Sequence, residues 1–156
     1  MKRIVQIVIV CILLVGIAFA DSIYVLCSPE DMLNVRVNPS IRSEAIGGLY
    51  CGDSVETDGK IRKDKWGNKW IHIINIPCEV DEAWISTTYI QDTPVVVNEA
   101  IAVVTARGRR TAIRRSPNGK VIKWAKRGDE LVVVAYSQEW VLTTKGYIKA
   151  DCVEIN

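Results

Sequence analysis

The side chains able to do covalent chemistry are few. His72 is the only histidine, and a cysteine nucleophile needs a histidine base within hydrogen-bond reach, itself oriented by a third polar group. Cys51 and Cys78 are the thiols for His72 to serve, yet neither lies in a nucleophile elbow or beside a base-orienting pattern. Asp and Glu total 18, but glycoside hydrolysis needs two carboxylates facing each other across a cleft. A small β unit offers no obvious cleft. No glycine-rich phosphate loop occurs either. The sequence therefore predicts no catalytic residues, no cofactor and no enzyme.

Cysteine has a second use. Cys11 falls in an apolar N-terminal run, which leaves Cys27, Cys51, Cys78 and Cys152. An even count in an exported chain with little core favours disulfides, in one of three connectivities, over four free, buried thiols. No C-x-x-C pair is present, the spacings are long and one histidine is too few, so no metal site is expected.

Binding chemistry is better represented. The five tryptophans are Trp66, Trp70, Trp84, Trp124 and Trp140, and the single phenylalanine, Phe19, is in the N-terminal run. Trp and Tyr pair an apolar face with a polar edge, the chemistry of sugar stacking and of peptide grooves. Trp66 stands among Lys63, Lys65 and Lys69 and is expected to be exposed. With Tyr50, Trp70 and Tyr89 it would line a groove; the alternative is that these rings fill a core without phenylalanine. Trp84 and Tyr147 are expected in the core. Arg114 and Arg115 join the binding candidates because they lie in a basic run that extends from Arg107 to Arg127.

These residues sit on a pattern that occurs twice. Leu33-Asn34-Val35-Arg36, Pro39, Gly52-Asp53 and Trp84-Ile85 return as Thr111-Ala112-Ile113-Arg114, Pro117, Gly128-Asp129 and Tyr147-Ile148. The step from Arg to Pro is three residues in both copies, and that from the aromatic to Tyr89 or Cys152 is five. Spacing held through such divergent residues means one fold repeated. Short runs rich in Val, Ile, Tyr and Trp, cut by turn residues, predict strands and no long amphipathic helix. In the first copy the strands are Ile23 to Leu26, Leu33 to Arg36, Ser54 to Asp58, Lys69 to Ile74 and Ala83 to Ile85. In the second they are Ile101 to Thr105, Thr111 to Arg114, Glu130 to Tyr136, Glu139 to Thr143 and Gly146 to Ile148. Asp58-Gly59 and Gly67-Asn68 bracket a polar hairpin. Ser86 to Tyr89 and Lys149 to Cys152 read as 3₁₀ turns, each before a last short strand. The fold class is all-β, two small, strongly bent barrels in tandem.

The recurring residues have architectural readings. Gly52 and Gly128 suit a backbone conformation closed to residues with a Cβ. Asp53 and Asp129 can accept from a turn amide. Pro39 and Pro117 end strands because proline cannot donate to a ladder. Asn34 and Arg36 alternate with Leu33 and Val35, so one pair faces out and the other in.

The N-terminus sets the expected compartment. Lys2 and Arg3 precede an almost wholly apolar run, Ile4 to Phe19, and Ala18-Phe19-Ala20 is a small-x-small cleavage site. The segment reads as a secretory signal peptide, residues 1 to 20, cut after Ala20. A membrane association is expected only if it is kept as an anchor, since it is about the minimum span of roughly 17 residues. Charge is uneven beyond it. Residues 21–97 hold 12 acids and 7 bases, residues 98–156 hold 6 acids and 11 bases. Such a field would dock the halves on each other, face an anionic wall polymer, or simply be solvated. No nucleic-acid partner is expected.

The residues from Leu33-Asn34-Val35-Arg36 through Pro39-Ser40, Ile46-Gly47, Gly52, Val55 and Trp84-Ile85 to Tyr89-Ile90 resemble the bacterial SH3-like (SH3b) domain. That family reads L-N-V-R-x-x-P-S, I-G-x-L-x-x-G-x-x-V, then G-W-V-x-x-x-Y-L. The likeness spans residues 23–92 and, in divergent form, 100–155, with a connector at 93–99; Cys152-Val153 stands where Tyr-Leu is usual. The resemblance implies small β-barrels that attach exported proteins to peptidoglycan or another wall component. The expected function is thus a secreted, non-catalytic binding protein of the cell envelope, or alternatively an adaptor that grips another exported protein.

Overall fold

The computed structural model describes residues 21–76, 80 and 82–156. The expected signal peptide and Cys78 lie outside the described residues. The first half forms β1 (Asp21–Val25), β2 (Leu33–Arg36), β3 (Ala45–Leu49), β4 (Ser54–Lys63), β5 (Lys69–Ile74), β6 (Ala83–Ser86) and β7 (Ile90–Gln91). The second forms β8 (Val96–Val104), β9 (Arg110–Arg114), β10 (Val121–Lys126), β11 (Glu130–Tyr136), β12 (Trp140–Thr143), β13 (Gly146–Lys149) and β14 (Val153–Ile155). The 3₁₀ turns Thr87–Tyr89 and Ala150–Cys152 precede β7 and β14. Among the described residues no helix is long and apolar enough to cross a membrane.

The chain is all-β and its two sheets have the same order. The first runs β3-β2-β6-β5-β4-β1-β7, the second β10-β9-β13-β12-β11-β8-β14, every described pairing antiparallel. The repeat extends to single hydrogen bonds. Val25 donates to Asp53 O at 2.9 Å and accepts from Gly52 N at 2.8 Å; Val104 does the same with Asp129 O at 3.0 Å and Gly128 N at 2.9 Å. The carboxylates of Asp53 and Asp129 accept from the amides of Tyr50 and Lys126, closing the same turn. Gly52 and Gly128 take φ +92° and +88° there, a region that disfavours any residue with a Cβ.

Neither ladder closes into the expected barrel. β3 and β7 are the edges of one sheet, β10 and β14 of the other. Each sheet instead bends around its own apolar cluster. At the bend β2 meets β6 in one described residue pair, Arg36 with Trp84, and β9 meets β13 in one, Arg114 with Tyr147. Ile23, Val25, Leu33, Val35, Ile71, Ile73 and Ile85 form the first cluster, joined by Ile46, Val55 and Ile90, so all seven strands contribute. Ala102, Val104, Ile113, Leu131, Val133, Val141 and Ile148 build the second. In β2 the side chains alternate as expected, with Leu33 and Val35 buried and Asn34 exposed. Burial removes each apolar side chain from water at about 1.5–3 kcal/mol, which is what makes a four-residue strand hold its face.

Several boundaries differ from the sequence reading. β3 and β10 were not expected: they carry Gly47-Gly48 and Lys123-Trp124, mostly exposed, and owe their form to pairing with β2 and β9. β4 continues past Asp58-Gly59 to Lys63, with a register shift between Thr57 and Ile61 and Gly59 at φ +75°. The bracketed hairpin is therefore a bulged strand whose tip is the turn at Asp64–Asn68. There the Asp64 carboxylate accepts from the amides of Trp66 and Asn68, both at 2.9 Å. β8 starts at Val96, so much of the 93–99 connector is strand.

Candidate functional site

Between the two sheets lies a cleft of about 540 Å³. From the first sheet and its loops come Cys27, Asp31, Met32, Asn34, Arg36, Ile41, Trp70 and Tyr89; from the second come Arg115, Leu142, Gly146 and Tyr147. Both repeats are needed to build it.

The floor is set by how the sheets dock. Leu26 is fully buried and packs with Ala135, Trp140, Leu142 and Tyr147 of the second sheet, flanked by Tyr89 and Cys51. The position equivalent to Leu26 is Thr105: their amides donate to Tyr89 O and Cys152 O respectively. Thr105 is exposed because nothing covers it. The repeats thus differ where one is capped by the other. Among the described residues two side-chain hydrogen bonds cross the junction. The hydroxyl of Tyr147 donates to Leu26 O at 3.1 Å, and that of buried Ser137 donates to the Gln91 amide oxygen at 3.2 Å. Among the described residues no ion pair crosses it. The contacts at the junction are the apolar plug and these bonds, and the bases from Arg107 to Arg127, Arg114 excepted, stay exposed.

The cleft mixes charge and aromatic surface. Arg36 sends its guanidinium to Ser43 O, and Arg114, its counterpart, donates to Gly119 O at 2.8 Å. Both brace a loop, and only Arg36 also lines the cleft. Arg115, one residue on, is exposed and reaches the cleft from the second sheet. Asp31 supplies a carboxylate on the opposite side of the charge ledger. Tyr89 and Tyr147 stand 6.3 Å apart, tilted at 45°. Burial pushes the Tyr147 phenol well above the ordinary tyrosine range, so it stays a neutral donor.

Of the sequence candidates, Trp70, Tyr89 and Arg115 come together in the cleft. Tyr50, Trp66 and Arg114 do not line it. Trp70 is buried, and its indole N–H donates to the Asp64 carboxylate at 3.4 Å. Trp66 is exposed as expected, but Arg42 lies over its ring at 4.8 Å and Lys65 at 4.5 Å, so cations already occupy its faces. Trp84 and Tyr147 are core. The sequence reading missed Asp31, Met32, Ile41 and Leu142, which have no motif and meet only through docking.

The four cysteines were expected to bridge. Cys27, Cys51 and Cys152 are free thiols. Cys152 packs on the second cluster while Cys27 and Cys51 pack on the first, so no bond between the sets forms. Cys27 and Cys51 are neighbours, however. The Cys27 side chain beside it holds the Cys51 thiol at about 7 against the opposing effect of burial, while the Cys27 thiol itself donates to Asp31 O at 3.7 Å. Cys27 is correspondingly raised, first by Cys51 and then by burial. His72 pairs elsewhere: its Nδ1 is 2.9 Å from the Asp58 carboxylate, and its ring packs 5.1 Å from Trp84.

No protein-family model matches the chain, and no curated protein matches it. Among solved structures the chain matches NlpC2 from Trichomonas vaginalis at 11% identity and a TM-score of 0.34, over 89% of this chain and 49% of that one. It matches NlpC1 from the same organism at 11% identity and a TM-score of 0.34, over 90% and 48%. The chain spans about half the length of these structures, a likeness too slight to carry fold or activity across.

Proposed function

We propose that the chain is a secreted, non-catalytic binding protein built from two SH3-like units, whose ligand is peptidoglycan or another component of the cell envelope. The observation that carries this reading is the cleft between the sheets. Its polar lining has two guanidinium groups, Arg36 and Arg115, and one carboxylate, Asp31, around the apolar surface of Leu142, Tyr89 and Met32. A few placed charges over apolar surface are the usual makeup of a ligand site, and this set suits a short peptide with a free carboxylate and an amine, such as a wall stem peptide. The repeated sheet order and the matching turn at Gly52 and Gly128 support the SH3-like assignment of both halves.

The test is co-sedimentation with purified wall sacculi across a salt series. The reading expects the protein in the pellet at low salt, release on Arg115→Ala or Tyr89→Ala, and retention in Trp66→Ala, which lies off the cleft. Protein absent from the pellet at low salt overturns it. An adaptor for another exported protein is the second reading. It is favoured by Ile101 and Val132, paired across β8 and β11 and both exposed; a defined crosslinked partner with no wall affinity would establish it.

A further inference from the structure

The Cys27–Cys51 pair is unused by the proposed binding function and is not required by the fold. In the second repeat the same positions, fixed by the matching bonds of Val25 and Val104, hold Ala106 and Arg127. The backbone there is the same without a thiol. Two cysteines in the first copy are therefore an addition to a turn that already closes by itself.

Their placement is specific. The β1–β4 ladder pairs Tyr24 with Ser54, and the Val25–Asp53 and Gly52–Val25 bonds carry the approach one step further. This clamps the end of β1 against the turn that bears Cys51. Both side chains pack on the first apolar cluster, Cys27 nearly buried and Cys51 half-buried. Cys27 also lines the cleft, and its thiol lies 3.7 Å from Asp31 O. We propose that Cys51 and Cys27 form a thiol–disulfide exchange site that reacts with small-molecule disulfides such as oxidised glutathione or cystine.

The roles follow from the surroundings. Cys51 is the more exposed residue of the pair, and Cys27 beside it favours the Cys51 thiolate near neutral pH. Its thiolate attacks one sulfur of the small disulfide. A Cys51–S–S–R bond forms, the original S–S bond breaks, and R–S⁻ leaves and takes a proton from solvent. Cys27 then gives its proton to solvent and attacks the Cys51 sulfur, expelling the second R–S⁻. Two protein thiols become one disulfide as one small disulfide becomes two thiols. The two electrons pass from the protein pair to the small disulfide.

The experiment uses the purified, fully reduced protein and needs no assumption about its ligand. Equilibration against oxidised and reduced glutathione is followed by alkylation and peptide mapping. The wild type should yield a Cys27–Cys51 cross-link and no lasting glutathione adduct, Cys27→Ser should stall with glutathione on Cys51, and Cys51→Ser should take up none at Cys27. Serine is close in size, and a second measurement avoids mutation: iodoacetamide should alkylate Cys51 with a pH midpoint near 7 and about tenfold faster than Cys152 at neutral pH. A cross-link from either cysteine to Cys78 or Cys152, a lasting adduct in the wild type, or equal alkylation of Cys51 and Cys152 would overturn the proposal.

Discussion

The phenol of Tyr147, near the end of the chain, donates its hydrogen bond to the backbone carbonyl of Leu26, 121 residues earlier, at 3.1 Å. Both groups are buried, and the bond joins the last long hairpin of the second sheet to the exit from the first strand of the first. Leu26 turns its side chain into the second sheet beneath the same ring. The two halves are thereby joined, and the cleft between them owes its shape to that junction.

Removing the hydroxyl should cost what a buried hydrogen bond is worth. Tyr147→Phe leaves the ring in place but orphans Leu26 O, so a loss of about 1–3 kcal/mol is expected. Urea denaturation followed by tryptophan fluorescence measures it. A loss within error would mean that water reaches the carbonyl and the junction is looser than described.

The apolar plug should matter more. Leu26→Ala opens a cavity between the sheets where no solvent reaches, and about 2–5 kcal/mol is the usual range for such a change. The wild type is expected to unfold in one calorimetric transition, and the variant to show two as the halves uncouple. One unshifted transition in the variant would remove Leu26 from the docking account.

Gly146 is fixed by sterics. It sits at φ +124°, and a Cβ there would stand 2.6 Å from Arg114 O and 2.9 Å from Ile113 Cγ2. Gly146→Ala should therefore lower stability by more than the roughly 1 kcal/mol of a positive-φ penalty alone, and should weaken ligand binding because Gly146 lines the cleft. Gly47→Ala, with nothing within 4 Å of the added carbon, is the control and should be near neutral. The melting temperatures of the two variants decide the point.

Acid should act partly through Asp58. The amide of Lys60 is the main group that holds its carboxyl below the ordinary aspartate range, with His72 and the Lys60 ammonium assisting against desolvation. A lowered folded pKa stabilises the protein at neutral pH, above the unfolded value, and that contribution is lost as pH falls through the carboxylate range. Stability measured from pH 7 down to pH 3 should decline less steeply in Asp58→Asn than in the wild type. Parallel curves would show that Asp58 contributes nothing to the slope.

Much of the architecture was legible in the residues. Leu33 and Val35 against Asn34 and Arg36 gave a strand its faces, and the Gly52-Asp53 and Gly128-Asp129 pairs marked turns that hydrogen bonding then forms in the same way twice. These are local matters, decided by alternation, by positive φ and by a carboxylate within reach of its own turn amides. β3 and β10 are hard to read because their few core contacts, Ile46 and Leu49 in one and Ala125 in the other, stand among exposed glycine, lysine and tryptophan; the neighbouring strand decides their form.

The sequence by itself marked the repeat, the strand faces and the core positions Trp84 and Tyr147, through recurring spacing and through alternation within each strand. Only the tertiary structure decided which candidates meet. It drew Trp70, Tyr89 and Arg115 to one cleft with Asp31 and Leu142, left Trp66 under Arg42 and Lys65, and set Cys51 beside Cys27 rather than Cys152. The cleft depends on how one sheet covers Leu26 of the other, whereas Trp66 and Cys51 are placed by pairing within the first sheet. A docking angle is a sum of contacts far apart in the chain, and no spacing within either repeat records it.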